Sequence, residues 1–216
     1  MNKMTDTYRT KGLRKHLVEE LQKKGIKDTD VLEAVSNVPR HYFVPASLFE
    51  HAYMDTPLPI ACEQTISQPY TVARQSELLE IKKQLRILEI GTGSGYQAAI
   101  LRYMGAFVYS IERQRDLYEH AKKLFHTLSL PIASKHGDGY NGWSEFAPFD
   151  RILVTCGAIE IPQTLLIQLK INGILVAPVG EPGQQIMTKT IRVSDTEFET
   201  TTHGSFRFVP MLKNAQ

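Results

Sequence analysis

The sequence predicts an α/β fold: a doubly wound, Rossmann-like sheet with an N-terminal helical arm and antiparallel strands at its C-terminal edge. Apolar residues recur at helical spacing before residue 38, short apolar runs alternate with helical stretches from 71 to 180, and short β-rich runs fill the remainder. A length of 216 residues, with 42% hydrophobic and 22% charged side chains, suits one large domain with a sizeable core. No repeat, low-complexity tract or linker divides it. We expect 1–70 to form the helical arm and a long loop, 71–180 the α/β core, and 181–216 a C-terminal β segment.

The first helix is expected over 8–24, where Leu13, Leu17, Val18 and Leu21 recur among Lys, Arg and Glu until Gly25 stops the run. A second is announced by Asp28 or Thr29 as cap, carries Val31, Leu32 and Val35, and ends at Pro39. Residues 39–70 hold Pro39, Pro45, Pro57, Pro59 and Pro69 and finish in CEQTISQPY, which fits no strand or helix period. A loop that long inside a compact domain is usually functional; the alternative is a proline-stiffened arm packed over the core. A helix over 71–80 opens the alternating part. Its strands are RILEI (86–90), FVYSI (107–111), PIASKH (131–136), DRILVTC (150–156) and GILVAPV (173–179), with helices at 96–104, 114–128 and 163–169, so the sheet should be parallel. The tail runs TKTIRV, FETTTH and SFRFVP are expected as antiparallel strands added at the sheet edge.

Charge and cysteine content narrow the partners. The 25 Lys and Arg against 23 Asp and Glu leave a net charge of +2, too little for a protein that grips phosphate backbone by charge. Only Cys62 and Cys156 could pair, and the N-terminus MNKMTDTYRTK lacks the apolar run of a signal peptide, so a reducing, cytoplasmic setting is expected. No window approaches the roughly 18 uninterrupted apolar residues that span a bilayer. We therefore expect a soluble protein with neither membrane nor nucleic acid as partner. The seven His residues are scattered without ligand spacing, and no metal site is expected.

The strongest local signal is LEIGTGSGY at 88–96, placed where the first core strand should turn into a helix. Glycine permits positive φ and lets backbone approach a ligand. A dinucleotide fingerprint wants glycine at the first, third and sixth positions, but the sixth counted from Gly91 is Tyr96, and no Gly-Lys-Ser/Thr is present for a triphosphate loop. Gly91, Gly93 and Gly95, with Ser94 among them and the acidic Glu89 before them, suit S-adenosylmethionine, whose ammonium Glu89 would meet directly or through water. Glu112, at the end of the second core strand, stands where a carboxylate can receive both ribose hydroxyls. Asp138, after the third, could accept from the adenine amino group while Gly139 keeps the backbone close. Each alone also reads as a cap or turn residue. Together they lie at the ends of three successive strands, where open α/β sheets bind ligands.

A methyl sulfonium cofactor implies in-line displacement. Enzymes that methylate exocyclic amines of nucleic acids commonly place Asn/Asp-Pro-Pro-aromatic after the fourth strand; here Thr155-Cys156-Gly157-Ala158 stands there. A carboxylate acceptor is already ionised at neutral pH and needs positioning and desolvation, for which one hydroxyl would suffice. Cys156 reads as a small packed residue rather than a nucleophile.

Pro59-Ile60 through TISQPY at 65–70, LEIGTGSGYQ at 88–97, His136-Gly137-Asp138-Gly139 with Gly142-Trp143, Ala147-Pro148-Phe149-Asp150, and FRFVP at 206–210 resemble the protein-L-isoaspartate O-methyltransferase family. VPRHYFVP at 38–45 and QLKINGILVAPVG at 168–180 do so too, and TISQP is specific to that family. The resemblance covers nearly the whole chain. It implies an S-adenosylmethionine-dependent methyltransferase sheet and a monomeric repair enzyme, acting on isoaspartyl peptides and age-damaged proteins. The enzyme would esterify the free α-carboxylate of an isoaspartyl residue, after which the ester collapses to a succinimide. The family's active-site serine falls on Ser67, whose hydroxyl we read as a donor to the substrate carboxylate; the plainer role is to cap the helix after Pro69. Thr65 and Ile66 should line the cleft. Where relatives often have Gly-x-Gly-Gln, this chain has Ala61-Cys62-Glu63-Gln64, so a stiffer, more acidic loop is expected. Asn172 replaces a common glycine, and Asn tolerates the left-handed conformation. Two alternatives share the glycine loop: a methyltransferase of small molecules or nucleic acids, which has no use for TISQP, and a non-catalytic nucleotide-binding module, against which the acidic residues argue.

Overall fold

Both helices of the arm form where capping and apolar spacing coincide. In the computed structural model, which describes residues 5–216, α1 (Tyr8–Lys23) starts at Thr7, whose side chain accepts from Thr10 N, and α2 (Thr29–Asn37) starts at Asp28, which accepts from Asp30 N and Val31 N. The buried stripe of α1 differs from expectation. Leu13 is exposed, and Arg14 takes its place beside Leu17 and Leu21. That cation is tolerable because its guanidinium donates to Asp6, Ser36 O and the Tyr53 hydroxyl.

The segment expected to be structureless is built. It contains two 3₁₀ turns, Arg40–Tyr42 and Ala46–His51, and a small antiparallel hairpin of β1 (Leu58–Pro59) and β2 (Thr65–Ile66). Elements this short leave no readable period, and a proline, Pro39 or Pro45, stands at the start of each 3₁₀ stretch. Cys62 and Glu63, inside the hairpin turn, stand at φ 55° and 54°, a region that costs most side chains roughly 1–2 kcal/mol. Glu63→Gly should therefore raise stability by about 0.5 kcal/mol after its extra unfolded-state entropy, or about 1–2 °C in Tm. A fall in Tm in a thermal melt would show that the Glu63 side chain makes a compensating contact.

The helix expected from 71 begins earlier, as α3 (Pro69–Leu78), because proline is well suited to a first helical turn. Next come β3 (Arg86–Ile90), α4 (Tyr96–Tyr103), β4 (Phe107–Glu112), α5 (Arg115–Thr127), β5 (Ala133–His136), β6 (Phe149–Val154), α6 (Gln163–Ile167), β7 (Leu169–Val179), β8 (Gln185–Arg192) and β9 (Phe198–Phe206). The sheet order is β5-β4-β3-β6-β7-β8-β9, parallel from β5 to β7 and antiparallel beyond. Strand β7 begins four residues earlier than GILVAPV because a register irregularity against β6 absorbs the turn-like stretch, with Asn172 at φ 63°. The run SFRFVP is not a strand of its own: β9 ends at Phe206, and the chain then crosses to the loop after β6 through Gly157 N to Val209 O (2.8 Å) and Met211 N to Gly157 O (2.7 Å).

Alternation along β3 gives each sheet face its own core. Ile87 belongs to the core that also holds Leu17, Val35, Val72 and Ile100, whereas Leu88 and Ile90 belong to the one that holds Ile111, Ile152 and Leu175. The switch in winding on either side of β3 opens a crevice above its carboxyl end. Among the described residues, no helix is long and apolar enough to cross a membrane.

Candidate active site

Residues 91–95 bend from β3 into α4 with Gly91, Gly93 and Gly95 at φ 98°, 52° and 84°. At Gly91 a Cβ would stand 2.6 Å from Thr155 Oγ1, which itself bonds Gly91 O at 2.6 Å, so the loop lies flush on the end of β6. At Gly93 only Ile60 Cδ1, at 3.8 Å, lies within contact range. The loop is therefore anchored at one glycine and open to the cleft at the next.

Glu112 ends β4 beside that loop. Its Oε2 accepts from Gly93 N at 2.8 Å and its Oε1 from Gln114 N at 2.9 Å, and its residue is 5% exposed. Each oxygen keeps a further lone pair for hydroxyl donors.

One cleft brings together Thr65, Ile66, Ser67, Gly91, Gly93, Ser94, Glu112 and Gly139 of the residues singled out in the sequence. Three others are not on its wall. Gly95 packs under α5, where a Cβ would meet the Phe125 ring at 2.6 Å. Glu89 lies wholly buried beneath the loop: Ser110 Oγ donates to its Oε2, Ser110 in turn meets Thr92 Oγ1 at 2.6 Å, and its Oε1 has no partner among the described residues. Burial pushes the Glu89 carboxyl up to about 8 despite the Ser110 hydrogen bond, with the Glu112 charge adding to the rise. Asp138 lies behind Gly139, its two oxygens accepting from Tyr140 N and Asn214 N at 2.8 Å each. Direct contact of Glu89 with a ligand in this cleft is therefore not part of the observed geometry, whereas each Asp138 oxygen, like those of Glu112, keeps a further lone pair.

The cleft also recruits residues to which the sequence assigned no ligand role. Gln97 lines it with a buried Oε1 that has no partner among the described residues, Thr155 reaches it from the end of β6, and Met211 and Leu212 close it from the tail. Thr155 was accessible to the rule that ligands meet strand ends; Met211 and Leu212 follow directly on FRFVP, whose Val209 and Pro210 also line the cleft. Cys156 is on the wall, but burial pushes its thiol up to about 12, so it keeps its proton at neutral pH.

Ser67 lines this cleft and a second one, which runs past Tyr70 and Phe206 to Arg207. The capping role suggested for it falls elsewhere: Gln68 is the N-cap of α3 without a side-chain bond, and Asp55 Oδ1 accepts from Tyr70 N at 2.7 Å. No hydrogen bond engages the Ser67 hydroxyl among the described residues, and it stands free at the wall shared by both clefts.

Comparison with known proteins agrees with this architecture. Residues 12–216 match the family model described as protein-L-isoaspartate(D-aspartate) O-methyltransferase. The chain is 55% identical over 212 residues to a protein-L-isoaspartate O-methyltransferase of Christiangramia forsetii, covering 98% of this chain and 99% of that one. It is 53% identical over 214 residues to the protein of that name in Flavobacterium psychrophilum, with 98% and 99% covered. Among solved structures, a protein-L-isoaspartate O-methyltransferase superposes with TM-score 0.83 at 32% identity, covering 94% of this chain and 67% of that chain. A Plasmodium falciparum protein assigned to the same activity, solved with S-adenosyl-L-homocysteine, gives TM-score 0.80 at 27% identity, with 93% and 99% covered.

Proposed function

This chain belongs to the protein-L-isoaspartate(D-aspartate) O-methyltransferase family, and from that premise we propose which of its residues carry the reaction. The enzyme is an S-adenosylmethionine-dependent methyltransferase acting on L-isoaspartyl residues in protein repair. The first cleft fits that cofactor. A buried carboxylate with spare lone pairs, Glu112, suits a ribose diol, and the orphaned Gln97 Oε1 suits an ammonium donor. Bound there, the cofactor supplies a methyl group on a cationic sulfur.

Thr65, Ile66, Gly91, Gly93 and Ser94 would hold the amino-acid end, Glu112 the ribose and Gly139 the adenine side. Glu89, through Ser110 and Thr92, supports the loop from beneath and, with its free Oε1, would serve a ligand ammonium only through water. Gly95 would act through the backbone it fixes, and Asp138, whose oxygens each keep a lone pair beside Tyr140 N and Asn214 N, would accept from the adenine amino group. The second cleft would take the peptide, with Arg207 on its wall available to acidic groups. Both cysteines are free, which supports a cytoplasmic enzyme, and we take it to act as a monomer.

The observation that carries the reading is the free Ser67 hydroxyl at the boundary of the two clefts. An isoaspartyl α-carboxylate is ionised well below neutral pH and needs no base. The hydroxyl donates to that carboxylate and holds one oxygen toward the first cleft, which is a positioning role. The ring nitrogens of His41, His136 and His203 meet the Tyr53 hydroxyl, backbone carbonyls and Thr201, and none of these bonds makes Ser67 a nucleophile.

Ser67→Ala should lower kcat/KM on an isoaspartyl peptide about tenfold to a hundredfold, the worth of one hydrogen bond to a charged group, with S-adenosylhomocysteine affinity unchanged. Ser67→Cys should be impaired as well, because a thiol donates weakly. A loss of several orders of magnitude with a trappable ester on Ser67 would mean covalent catalysis. Unchanged efficiency at sub-saturating peptide would remove Ser67 from the reaction.

A further inference from the structure

We propose that Asp55 is a positioning residue for the Ser67 hydroxyl, holding the chain on the downstream side of Ser67 while the hairpin holds it upstream; this inference rests on the Ser67 reading above. The Asp55 side chain is 2% exposed, and its carboxylate gathers three donors. Oδ1 accepts from Tyr70 N at 2.7 Å, and Oδ2 accepts from Gln68 Nε2 at 3.0 Å and from Lys24 Nζ at 2.6 Å. The Asp55 carbonyl accepts from the same Gln68 amide at 3.0 Å. The two residues engaged are the first and third after Ser67.

Upstream, Ile66 is paired with Leu58 in the hairpin. The short stretch from Asp55 to Pro59 therefore holds Ser67 from both sides, by backbone pairing before it and by the carboxylate after it. Ser67 itself spends no hydrogen bond on this scaffold, which leaves its hydroxyl available to substrate.

The third donor links the site to the arm. Lys24 is the C-cap residue of α1 and bonds Glu20 as well as Asp55. A nearly buried carboxylate needs such a counter-charge, and the N-terminus of α3 favours a negative group at the same point. The contact between the helical arm and the core thus bears directly on where the Ser67 hydroxyl points.

A merely structural cap would slow the enzyme independently of Ser67, whereas a positioning residue acts only through it. The two separate in a double-mutant cycle on kcat/KM for an isoaspartyl peptide. In Asp55→Asn the amide can still face Tyr70 N, but its NH₂ opposes the Lys24 and Gln68 donors. We expect Asp55→Asn to lose about tenfold in efficiency with S-adenosylhomocysteine affinity within about twofold of wild type, and to add no further loss in the Ser67→Ala background. Lys24→Ala, which removes the counter-charge and leaves the backbone donor to Asp55 in place, should give a smaller loss that also vanishes with Ser67→Ala, circular dichroism establishing that the variant is folded. Full multiplication of either loss with that of Ser67→Ala, or unchanged efficiency in both single variants, overturns the role of Asp55. If Ser67→Ala alone is fully active, the Ser67 reading has failed, and the proposal falls with it.

Discussion

Gly93→Val is expected to abolish measurable S-adenosylhomocysteine binding while leaving the protein folded. Gly93 lies on the cleft wall at φ 52°, and a Cβ there meets only Ile60 Cδ1, at 3.8 Å. The space that the branched side chain fills is therefore ligand space rather than core. A β-branched residue in the left-handed region costs roughly 1–2 kcal/mol of stability, which a domain of this size survives. The loss of affinity should be about a hundredfold or more, equivalent to about 2.7 kcal/mol. Circular dichroism would establish the fold and calorimetry the binding. A folded variant with wild-type affinity would show that the glycine loop is not the cofactor cradle.

Glu112→Ala should weaken the same ligand by roughly 1.5–3 kcal/mol, the worth of hydrogen bonds to a charged acceptor. The carboxylate also holds the glycine loop through Gly93 N and the start of α5 through Gln114 N, so its loss releases both edges of the cleft. Glu112→Gln separates the two contributions. Its oxygen preserves one backbone bond, but its NH₂ faces the other N–H and donates to a hydroxyl only where it should accept. We expect Gln to recover little affinity. An unchanged dissociation constant in both variants would remove Glu112 from the cofactor site.

Glu112 was legible in the sequence because its position is a local consequence of topology. An acidic residue ending the strand after the glycine loop must come alongside that loop in a parallel pair, and the register Ile90 opposite Ile111 sets it there. Strand β3 was legible for a similar reason, since alternate residues had to serve two different cores. Asp138 shows where such reasoning stops. Its strand-end position could be read, but not that its side chain also accepts from Tyr140 N two residues on and from Asn214 N in the distant tail. No period records a partner 76 residues away. Arg14 sits on a core face for the same reason, its acceptors lying on Asp6, Ser36 and Tyr53. The hairpin that presents Ser67 was invisible because two-residue strands have no alternation to read, although the TISQP residues themselves stood out by resemblance.

The central claim is that this cleft pair directs a methyl group to one particular carboxylate. It is tested most directly by incubating the wild-type protein with methyl-labelled S-adenosylmethionine and two peptides that differ only in carrying aspartate or isoaspartate at one position. Label is expected in the isoaspartyl peptide alone, as a base-labile ester. Equal labelling of both peptides, or label retained in a base-stable bond, would contradict it.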